Sequence, residues 1–372
     1  MIRHALLRQL QRAGRLARRM LGAPEYQSDF PAASEYLRLA ALPGRYSRDF
    51  EPRTFVFELL YVSAEAGGLA DILDLGQVLV EKHGLRVFYR VPPEWYALEE
   101  AVRRIRWSRP GVRPDQVHAA LDFTPEYLCA TAWPTAYRVL QHPSARKLYF
   151  VQDYEPWFRP AGVERWYAAR SYELGLEIFT LGPWLQSFLK REHRVTRITA
   201  LPFPVVHPPA AGRPWEQRNA ATFYVQPEKP HRGAELLVEC ARRVARRIRA
   251  DNPGIELVLF GSHELQYMRF DFPCRVMGVL DKPALSRLVA TTRVGVSASF
   301  TNLSLLPPWF VAQGCWAVDL DLPNVTTNLP DGMRNAVRPV APDPEAMAAT
   351  VLECLDQPPP LRRDDLRTVY ER

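Results

Sequence analysis

Short apolar runs alternate along the chain with segments in which apolar residues recur every three or four positions. The first run is TFVFELLY, residues 54–61, and a glycine-containing turn, a periodic segment from Leu69 to His83 and the run LRVFYRV follow it. Strand, glycine loop, helix and strand in this order form the unit of a doubly wound parallel sheet. The runs YLCATA, KLYFV and LEIFTL continue the alternation. The pattern predicts an α/β unit in this part of the chain.

A second series of the same kind begins after the proline-rich stretch 202–214. Its apolar runs are ATFYVQ, IELVLFG, CRVMGVL, RVGVSAS and WAVDLD, with periodic segments between them. The long segment 233–250 carries an arginine-rich face, which we interpret as solvated rather than as a nucleic-acid patch. The predicted fold class is therefore α/β, with two Rossmann-like doubly wound domains, a cleft between them, and an N-terminal amphipathic helix.

The predicted domain boundaries follow the composition. Residues 1–48 are assigned to a basic N-terminal extension, 49–205 to the first Rossmann-like domain, 206–356 to the second, and 357–372 to a tail helix. A chain of 372 residues, 47% hydrophobic and 24% charged, is long enough for two folded domains and is close to the average of globular proteins. The five cysteines form no C-x-x-C pair, which disfavours a disulfide framework and a zinc site.

The net charge of +7 is concentrated at the N-terminus. Residues 1–24 contain six arginines and no acid, and at about 100° per residue the arginines gather opposite an apolar face. Such a helix either lies on an anionic membrane surface or packs on its own protein or a partner. Arginines interrupt any apolar core of signal-peptide length, so we expect a cytoplasmic protein, peripheral at the inner face of the plasma membrane if the helix binds lipid. No nucleic-acid partner is expected.

Common catalytic motifs do not occur in this sequence. It contains no G-x-G-x-x-G, no Walker loop, no G-x-S-x-G elbow and no H-E-x-x-H. The chain is therefore not expected to be a nicotinamide dehydrogenase, a P-loop enzyme, an α/β-hydrolase or a zinc protease.

Three polar groups follow predicted strands. Gly67 and Gly68 lie between a strand and a helix start, where backbone can approach a ligand, although a simple tight turn explains them equally well. The stretch QDYEPW, which contains Asp153 and Glu155, suits a sugar, because carboxylates accept hydroxyl hydrogen bonds and aromatic rings cover apolar sugar faces. A helix cap with packed aromatic residues is the alternative.

The third group lies in the second half of the chain. Lys229 and Arg232 precede a helix start, an arrangement that suits a diphosphate. The uncharged stretch TNLSLLPPWFVAQG, residues 301–314, is too polar and too rich in proline for a membrane span, so it predicts a strand end, a ligand-closing loop and a helix start. Ordinary loop and cap chemistry is the alternative for both segments.

Four segments resemble a known family. LYFVQDYEPWFRPAG, SYELGLEIFTLGPWL, LVLFGS and TNLSLLPPWFVAQGCWAVDLD are similar to bacterial glycosyltransferases of the GT-B architecture, in the retaining family four. Members of this group include rhamnosyltransferases that build S-layer and O-antigen glycans. The resemblance runs from about Thr54 to Cys354.

The resemblance implies transfer of a sugar, such as rhamnose, from a nucleotide diphosphate sugar to a glycan or lipid-linked glycan acceptor. It implies no metal ion and no cofactor apart from the nucleotide sugar, for which dTDP-rhamnose is a candidate. The C-terminal domain would hold the donor and the N-terminal domain the acceptor. The implied site residues are, for catalysis, Asp153 and Glu155; for the donor, Gln226, Lys229, Arg232, Gly261, Ser262, Gly278, Thr301, Asn302, Leu303, Ser304 and Trp309; and for the acceptor, Gly67, Gly68, Trp133, Tyr154 and Trp157.

Two positions depart from the pattern of this family. Gln226 stands where its members usually carry an arginine, and Trp309 stands where they usually carry a glutamate that contacts the ribose. Both departures lie in the predicted donor half. Two hypotheses follow: an active glycosyltransferase with an altered donor site, or a degenerate glycosyltransferase fold that acts as a binding or scaffolding subunit of a glycan assembly complex.

Overall fold

The computed structural model describes residues 33–60, 62–63, 67–91, 93, 96–203, 213–251 and 254–360. The predicted basic helix within residues 1–24 lies outside these ranges, as do residues 361–372 of the predicted tail helix. Residues 357–360 are not helical, so the last described helix ends before the predicted tail begins. None of the helices in the described ranges has the length and apolar character that a membrane crossing requires.

Seven parallel strands form the N-terminal sheet, in the order β3-β2-β1-β4-β5-β6-β7. The strands are β1 Glu51–Glu58, β2 Arg86–Arg90, β3 Val117–His118, β4 Pro125–Ala130, β5 Arg146–Val151, β6 Glu177–Leu181 and β7 Ile198–Leu201. The first six strands follow the order of a Rossmann sheet, in which the chain reverses direction across the sheet between β1 and β4.

Six parallel strands form the C-terminal sheet, in the order β10-β9-β8-β11-β12-β13. The strands are β8 Ala220–Tyr224, β9 Glu256–Phe260, β10 Arg275–Gly278, β11 Thr292–Val296, β12 Trp316–Leu320 and β13 Val337–Val340. The order repeats that of the first sheet, with the reversal between β8 and β11. The predicted pair of doubly wound parallel sheets is confirmed.

Helices connect the strands within each sheet. In the described ranges they are α1 Ala33–Ala41, α2 Gly67–His83, α3 Leu98–Ser108, α4 Trp133–Gln141, α5 Val163–Arg170, α6 Pro183–His193, α7 Ala234–Asp251, α8 Lys282–Val289, α9 Leu306–Ala312, α10 Pro323–Thr326 and α11 Pro344–Asp356. Short 3-10 turns occur between several of them. In helix α7 the apolar residues Leu237, Val244 and Ile248, which recur at helical spacing, are buried. Arginines on its other side pair with Glu239 and Glu345, as a solvated face does.

One apolar cluster runs through both halves of the molecule. It joins Phe57 and Leu69 of the N-terminal half to Leu303 and Phe310 of the C-terminal half. Helix α9 reaches this position because β11 carries Gly295, where a Cβ atom would lie 2.3 Å from the Phe310 ring. The two sheets therefore meet through packed side chains as well as polar contacts.

The elements that the sequence pattern did not assign are short, charged or at a sheet edge. Helix α3 buries only Ala101 and Ile105 beneath a charged surface. Among the strands that the structure describes, β13 pairs with β12 alone, and it contains Pro339, a residue that edge strands tolerate. Both depend on the neighbouring strands and helices more than on their own sequence.

Candidate active site

The carboxyl ends of the two sheets face each other around the predicted site. In open parallel sheets, ligands bind outside the carboxyl ends where the strand order reverses. Loops that follow β1, β5, β8 and β11 contribute most of the residues that the sequence singled out. The structure therefore brings together residues that are far apart in the chain.

Asp153 and Arg232 meet across the interface between the two halves. Arg232 Nη2 donates to Asp153 Oδ2 at 3.4 Å, and the two side chains are 18% and 14% exposed. Burial raises the pKa of the Asp153 carboxyl, while Arg232 and the Thr301 hydroxyl oppose that rise. A contact of 3.4 Å is long for a charge-assisted hydrogen bond, so both groups retain capacity for a ligand.

Glu155 lies on a different side of the same loop. Its carboxylate accepts hydrogen bonds from the Trp133 amide at 3.1 Å and from the Tyr149 hydroxyl at 3.4 Å. Burial raises the pKa of Glu155 to about 8. The structure does not bring this carboxylate to Arg232. Its contacts place it at the start of α4, where it holds the helix against β5.

The loop after β8 presents basic and amide groups toward the same interface. Gln226 is buried, and its Nε2 donates to the Gly261 carbonyl at 3.0 Å. His231 stacks on Phe158 of the N-terminal half with ring centroids 4.0 Å apart. Burial, with the charges of Arg232 and Lys229, lowers the pKa of His231 to about 3. The imidazole is therefore neutral near pH 7, and the positive charge here comes from Lys229 and Arg232.

A turn in left-handed backbone joins this loop to α7. Gly233 has φ of 57°, and a Cβ atom there would lie 2.8 Å from the Phe300 ring. A side chain at this position would be strained and crowded. The glycine thus lets Arg232 and the first turn of α7 approach the loop after β11.

The loop after β11 is held in shape by a buried carboxylate that the sequence reasoning missed. Asp319 accepts hydrogen bonds from the hydroxyls of Ser297 and Ser299 and from the amides of Ser299 and Leu320, at 2.7–2.8 Å. The Ser299 hydroxyl also accepts from the Ser304 amide at 3.0 Å. Asp319 is fully buried at the end of β12. Its only sequence signal is one acid inside an apolar strand.

Asn302 lies at the contact between the two sheets. Its Nδ2 donates to the carbonyl of Gln152, the residue after β5, at 2.7 Å and to that of Leu181, the last residue of β6, at 3.1 Å. Its Oδ1 accepts from Asn328 Nδ2 at 2.7 Å, and Asn328 Oδ1 accepts from the Trp184 amide at 3.1 Å. Both polar atoms of the Asn302 side chain therefore have protein partners in this conformation, and its predicted role in donor binding stays a prediction. The amide pair ties the C-terminal half to the N-terminal sheet.

Other predicted donor residues take different positions. Thr301, Leu303 and Ser304 are buried, and Leu303 belongs to the apolar cluster that joins the halves. Trp309 on α9 is partly buried against that cluster, and its indole Nε1 is buried without a hydrogen-bond partner in the described part of the chain.

The predicted nucleoside residues gather at the ends of β9 and β10. The Gly261 amide donates to the Gly278 carbonyl at 2.7 Å. Gly261 has φ of 117°, and a Cβ atom there would lie 2.6 Å from the Tyr224 ring. The Ser262 hydroxyl caps the following turn by accepting from the Glu264 amide at 3.0 Å. Gly261 is buried and Gly278 is partly exposed, and both adopt positive φ values that favour glycine.

The predicted acceptor residues separate into three environments. Gly67 and Gly68 begin α2, and Cβ atoms there would lie 3.4 Å from Leu305 and 3.2 Å from Gln152 Oε1. Trp133 packs with Tyr36 and Tyr137 in a cluster beneath α1. This buried packing accounts for Trp133 without a ligand.

Tyr154 and Trp157 complete the predicted acceptor set. The Tyr154 ring is buried, and its hydroxyl lies 2.9 Å from His193 Nε2. Trp157 is 37% exposed and contacts Trp184 and Phe188. Of the three predicted acceptor aromatics, Trp157 is the one that reaches the surface between the two halves.

Comparison with known proteins supports the same architecture. No protein-family model matches the chain. The chain is 29% identical over 274 residues to the O-antigen biosynthesis protein RfbC of Myxococcus xanthus, an alignment that covers 69% of the chain and 21% of RfbC. The chain thus spans about a fifth of the length of that relative.

Solved structures match over most of the chain. WaaG, a glycosyltransferase involved in lipopolysaccharide biosynthesis, superposes with a TM-score of 0.55 at 12% identity, covering 86% of this chain and 94% of WaaG. HepE of Anabaena in complex with UDP-glucose superposes with a TM-score of 0.52 at 11% identity, covering 82% and 90%. At these identities the likeness concerns the fold. The chain therefore has the GT-B architecture that its sequence predicted.

Proposed function

We propose that this chain is a glycosyltransferase that moves a sugar from a nucleotide diphosphate sugar to a glycan acceptor in the synthesis of a bacterial surface polysaccharide such as O antigen. The similarity to RfbC supports this pathway, and the likeness to WaaG and HepE supports this class of reaction. The observation that carries the proposal is a set of unpaired polar atoms between the two sheets.

Buried polar atoms almost always have hydrogen-bond partners. Four that lack one within the described ranges come from the facing loops of the two halves: Gln152 Oε1, Gln226 Oε1, His231 Nδ1 and Arg232 Nη1. Each such atom costs about 1–3 kcal/mol when it stays unpaired. A polar ligand between the sheets would satisfy them, and a donor with phosphate and hydroxyl groups offers both acceptors and donors.

The diphosphate of the donor is assigned to Arg232 and Lys229 at the start of α7. A guanidinium matches phosphate geometry, and the free amides of a helix start favour negative charge. The nucleoside is assigned to the backbone around Gly261 and Gly278. Gln226, in place of the arginine of the resembled family, contributes an uncharged amide, so Arg232 supplies more of the charge stabilisation.

The chemistry follows from charge that develops at the leaving diphosphate. Fixed positive groups that stabilise this charge in the transition state accelerate cleavage of the bond to the sugar. Asp153, held beside Arg232, is assigned to a hydroxyl of the transferred sugar or of the acceptor. We propose transfer with retention at the anomeric carbon, with the leaving diphosphate assisting the incoming hydroxyl, and without a metal ion or another cofactor. The sequence resemblance makes dTDP-rhamnose the first donor to test.

The test measures nucleotide affinity directly. Calorimetric titration with dTDP-, UDP- and GDP-sugars should show saturable binding of at least one donor. Arg232→Ala should weaken that binding by about 10- to 100-fold, because a lost charged hydrogen bond costs about 1.5–3 kcal/mol.

Arg113→Ala is the matched control, since Arg113 also pairs with a carboxylate, Asp115, but lies on the surface. It should leave affinity unchanged. Absence of binding for every nucleotide sugar at millimolar concentration would exclude the transferase and favour a scaffolding role. Unchanged affinity in Arg232→Ala would remove the diphosphate assignment alone.

A further inference from the structure

A cavity of about 560 Å³ lies between the two halves of the molecule. Its N-terminal wall contains Trp157, Trp184 and Phe188, and its C-terminal wall contains Phe300 and residues of α10. The volume is within the range of about 300–1,000 Å³ that is typical of small-ligand sites. The unpaired atoms of the proposed donor site belong to other residues, so the cavity is a separate feature.

Aromatic faces form one side of the cavity. The ring centroid of Trp157 lies 6.0 Å from that of Trp184 and 5.3 Å from that of Phe188, and Trp184 stacks on Phe188 at 5.0 Å. Trp157 keeps 37% of its surface exposed. Rings held in place by other rings need little further ordering when a ligand binds, so they form a rigid platform.

Polar groups form the rest of the wall. Ser187 and Arg191 extend from α6, and Asn324 and Thr327 come from α10 and the residue that follows it. No carboxylate belongs to the described lining. Flat apolar rings beside hydroxyl, amide and guanidinium groups match a sugar ring, which has apolar C–H faces and hydroxyls around its edge.

The cavity is next to the proposed reaction centre. Phe300 lines the cavity and packs against Gly233, which directly follows Arg232. Trp157 belongs to the turn that follows Asp153, so the loop that carries this carboxylate also supplies the aromatic platform. A ligand in the cavity would therefore contact both loops that meet at the Asp153–Arg232 pair.

We propose that this cavity binds a sugar ring of the acceptor glycan, with Trp157 as its platform and α6 and α10 as its two polar walls. The identification of the bound sugar as the acceptor rests on the proposed transferase function, whereas the binding of carbohydrate in the cavity does not. The C-terminal half, through Phe300 and α10, takes part in acceptor recognition together with the N-terminal half.

The test measures carbohydrate binding without turnover. Methyl glycosides of rhamnose, glucose, N-acetylglucosamine and glucuronic acid are titrated into the full-length protein, with calorimetry and tryptophan fluorescence as readouts. At least one should bind saturably. Trp157→Ala should weaken that binding about tenfold, since it removes the aromatic platform. Trp107→Ala is the control, because Trp107 is an exposed tryptophan on α3, outside the cavity lining.

Two further variants, which fill the cavity, test the proposal even if Trp157→Ala does not fold. Ser187 and Thr327 are exposed residues on opposite walls, so Ser187→Trp and Thr327→Trp should fold and block the cavity. Each should abolish glycoside binding and leave nucleotide-sugar affinity unchanged.

The outcomes separate the two proposals. Failure of all four glycosides to bind, or equal binding by Ser187→Trp and wild type, would overturn the cavity assignment while leaving the donor site intact. Glycoside binding that the filling variants block, without any nucleotide-sugar binding, would establish the cavity as a carbohydrate site and reject the transferase.

Discussion

At the scale of single residues, two carboxylates in one short loop have different surroundings. Asp153 faces Arg232 across the interface, whereas Glu155 accepts from the Trp133 amide and the Tyr149 hydroxyl. The sequence placed both in the catalytic set because they follow the same predicted strand, in a stretch that resembles the glycosyltransferases. The turn that begins after Asp153 directs their side chains to different partners, and of the two only Asp153 contacts Arg232.

The pH dependence of transfer should report on Asp153. Burial raises its pKa, so the charge that a sugar hydroxyl would bind is lost on acidification at a higher pH than for an exposed aspartate. We expect wild-type kcat/KM to fall through this raised pKa as the pH decreases. Asp153→Asn keeps the shape but removes the titration, so its residual activity should be lower and should lack this acid limb.

Steady-state measurements of kcat/KM across the acid pH range test this prediction. Glu155→Gln is the matched comparison, because it changes the neighbouring carboxylate that does not reach Arg232. An acid limb that survives in Asp153→Asn and disappears in Glu155→Gln would reverse the assignment of the two carboxylates.

At the scale of elements, the loop after β11 depends on one buried side chain. Asp319 accepts from two serine hydroxyls and two amides, and through Ser299 it also fixes the Ser304 amide. The uncharged stretch 301–314 therefore takes its shape from a residue beyond its own end. The sequence identified the stretch as a strand end, a loop and a helix start, and its only sign of this support was one acid inside a later apolar strand.

Replacing Asp319 should cost more stability than most surface changes. Asp319→Ala leaves buried hydroxyls and amides without an acceptor, and each unpaired group costs about 1–3 kcal/mol, so we expect a loss of about 3 kcal/mol or more in the free energy of unfolding. Denaturant unfolding measures this loss. Asp321→Ala, at an exposed position two residues later, is the control and should change stability by less than about 0.5 kcal/mol. A similar effect of both variants would contradict the proposed support.

At the scale of the whole molecule, polar contacts add to the apolar cluster that joins the two halves. The Asn302–Asn328 amide pair binds the ends of β5 and β6 and the start of α6. Lys282, at the start of α8, and Arg109 act electrostatically on Asp71 of α2. Asp71 is buried, and burial raises its pKa to about 7 despite these two cations.

The burial of Asp71 should make stability depend on pH. A carboxyl whose pKa is raised in the folded state binds a proton that the unfolded chain has already released, so stability falls as the pH rises through about 7. Between pH 6 and pH 8 this group should lower the free energy of unfolding by about 1.4 kcal/mol. Asp71→Asn cannot ionise and should remove the part of the loss that Asp71 causes, whereas Glu155, whose pKa is raised to about 8, still contributes in the same pH range.

Thermal unfolding of both proteins at the two pH values provides the measurement. Asp115→Asn, at an exposed surface position, should keep the pH dependence of wild type. If Asp71→Asn also loses the same stability between pH 6 and pH 8, then another group is responsible.

The sequence by itself determined the order and type of the main elements. Strands that are buried on both faces of a parallel sheet appear in the sequence as continuous apolar runs. Helices with one apolar face appear as apolar residues that recur every three or four positions. The same signal located the loops at the carboxyl ends of the strands, and so most of the candidate site. The sequence did not predict strands such as β13, because their pairing depends on the neighbouring strand more than on their own residues.

Only the tertiary structure decided which polar residues meet. Asp319 lies 20 residues from Ser299 in the chain, Asn302 lies 150 from Gln152, and Arg232 lies 79 from Asp153. Contacts of this kind form when two sheets pack face to face, and no local pattern records them. For the same reason the sequence named Trp157 but not the cavity, since its walls come from both halves of the folded chain.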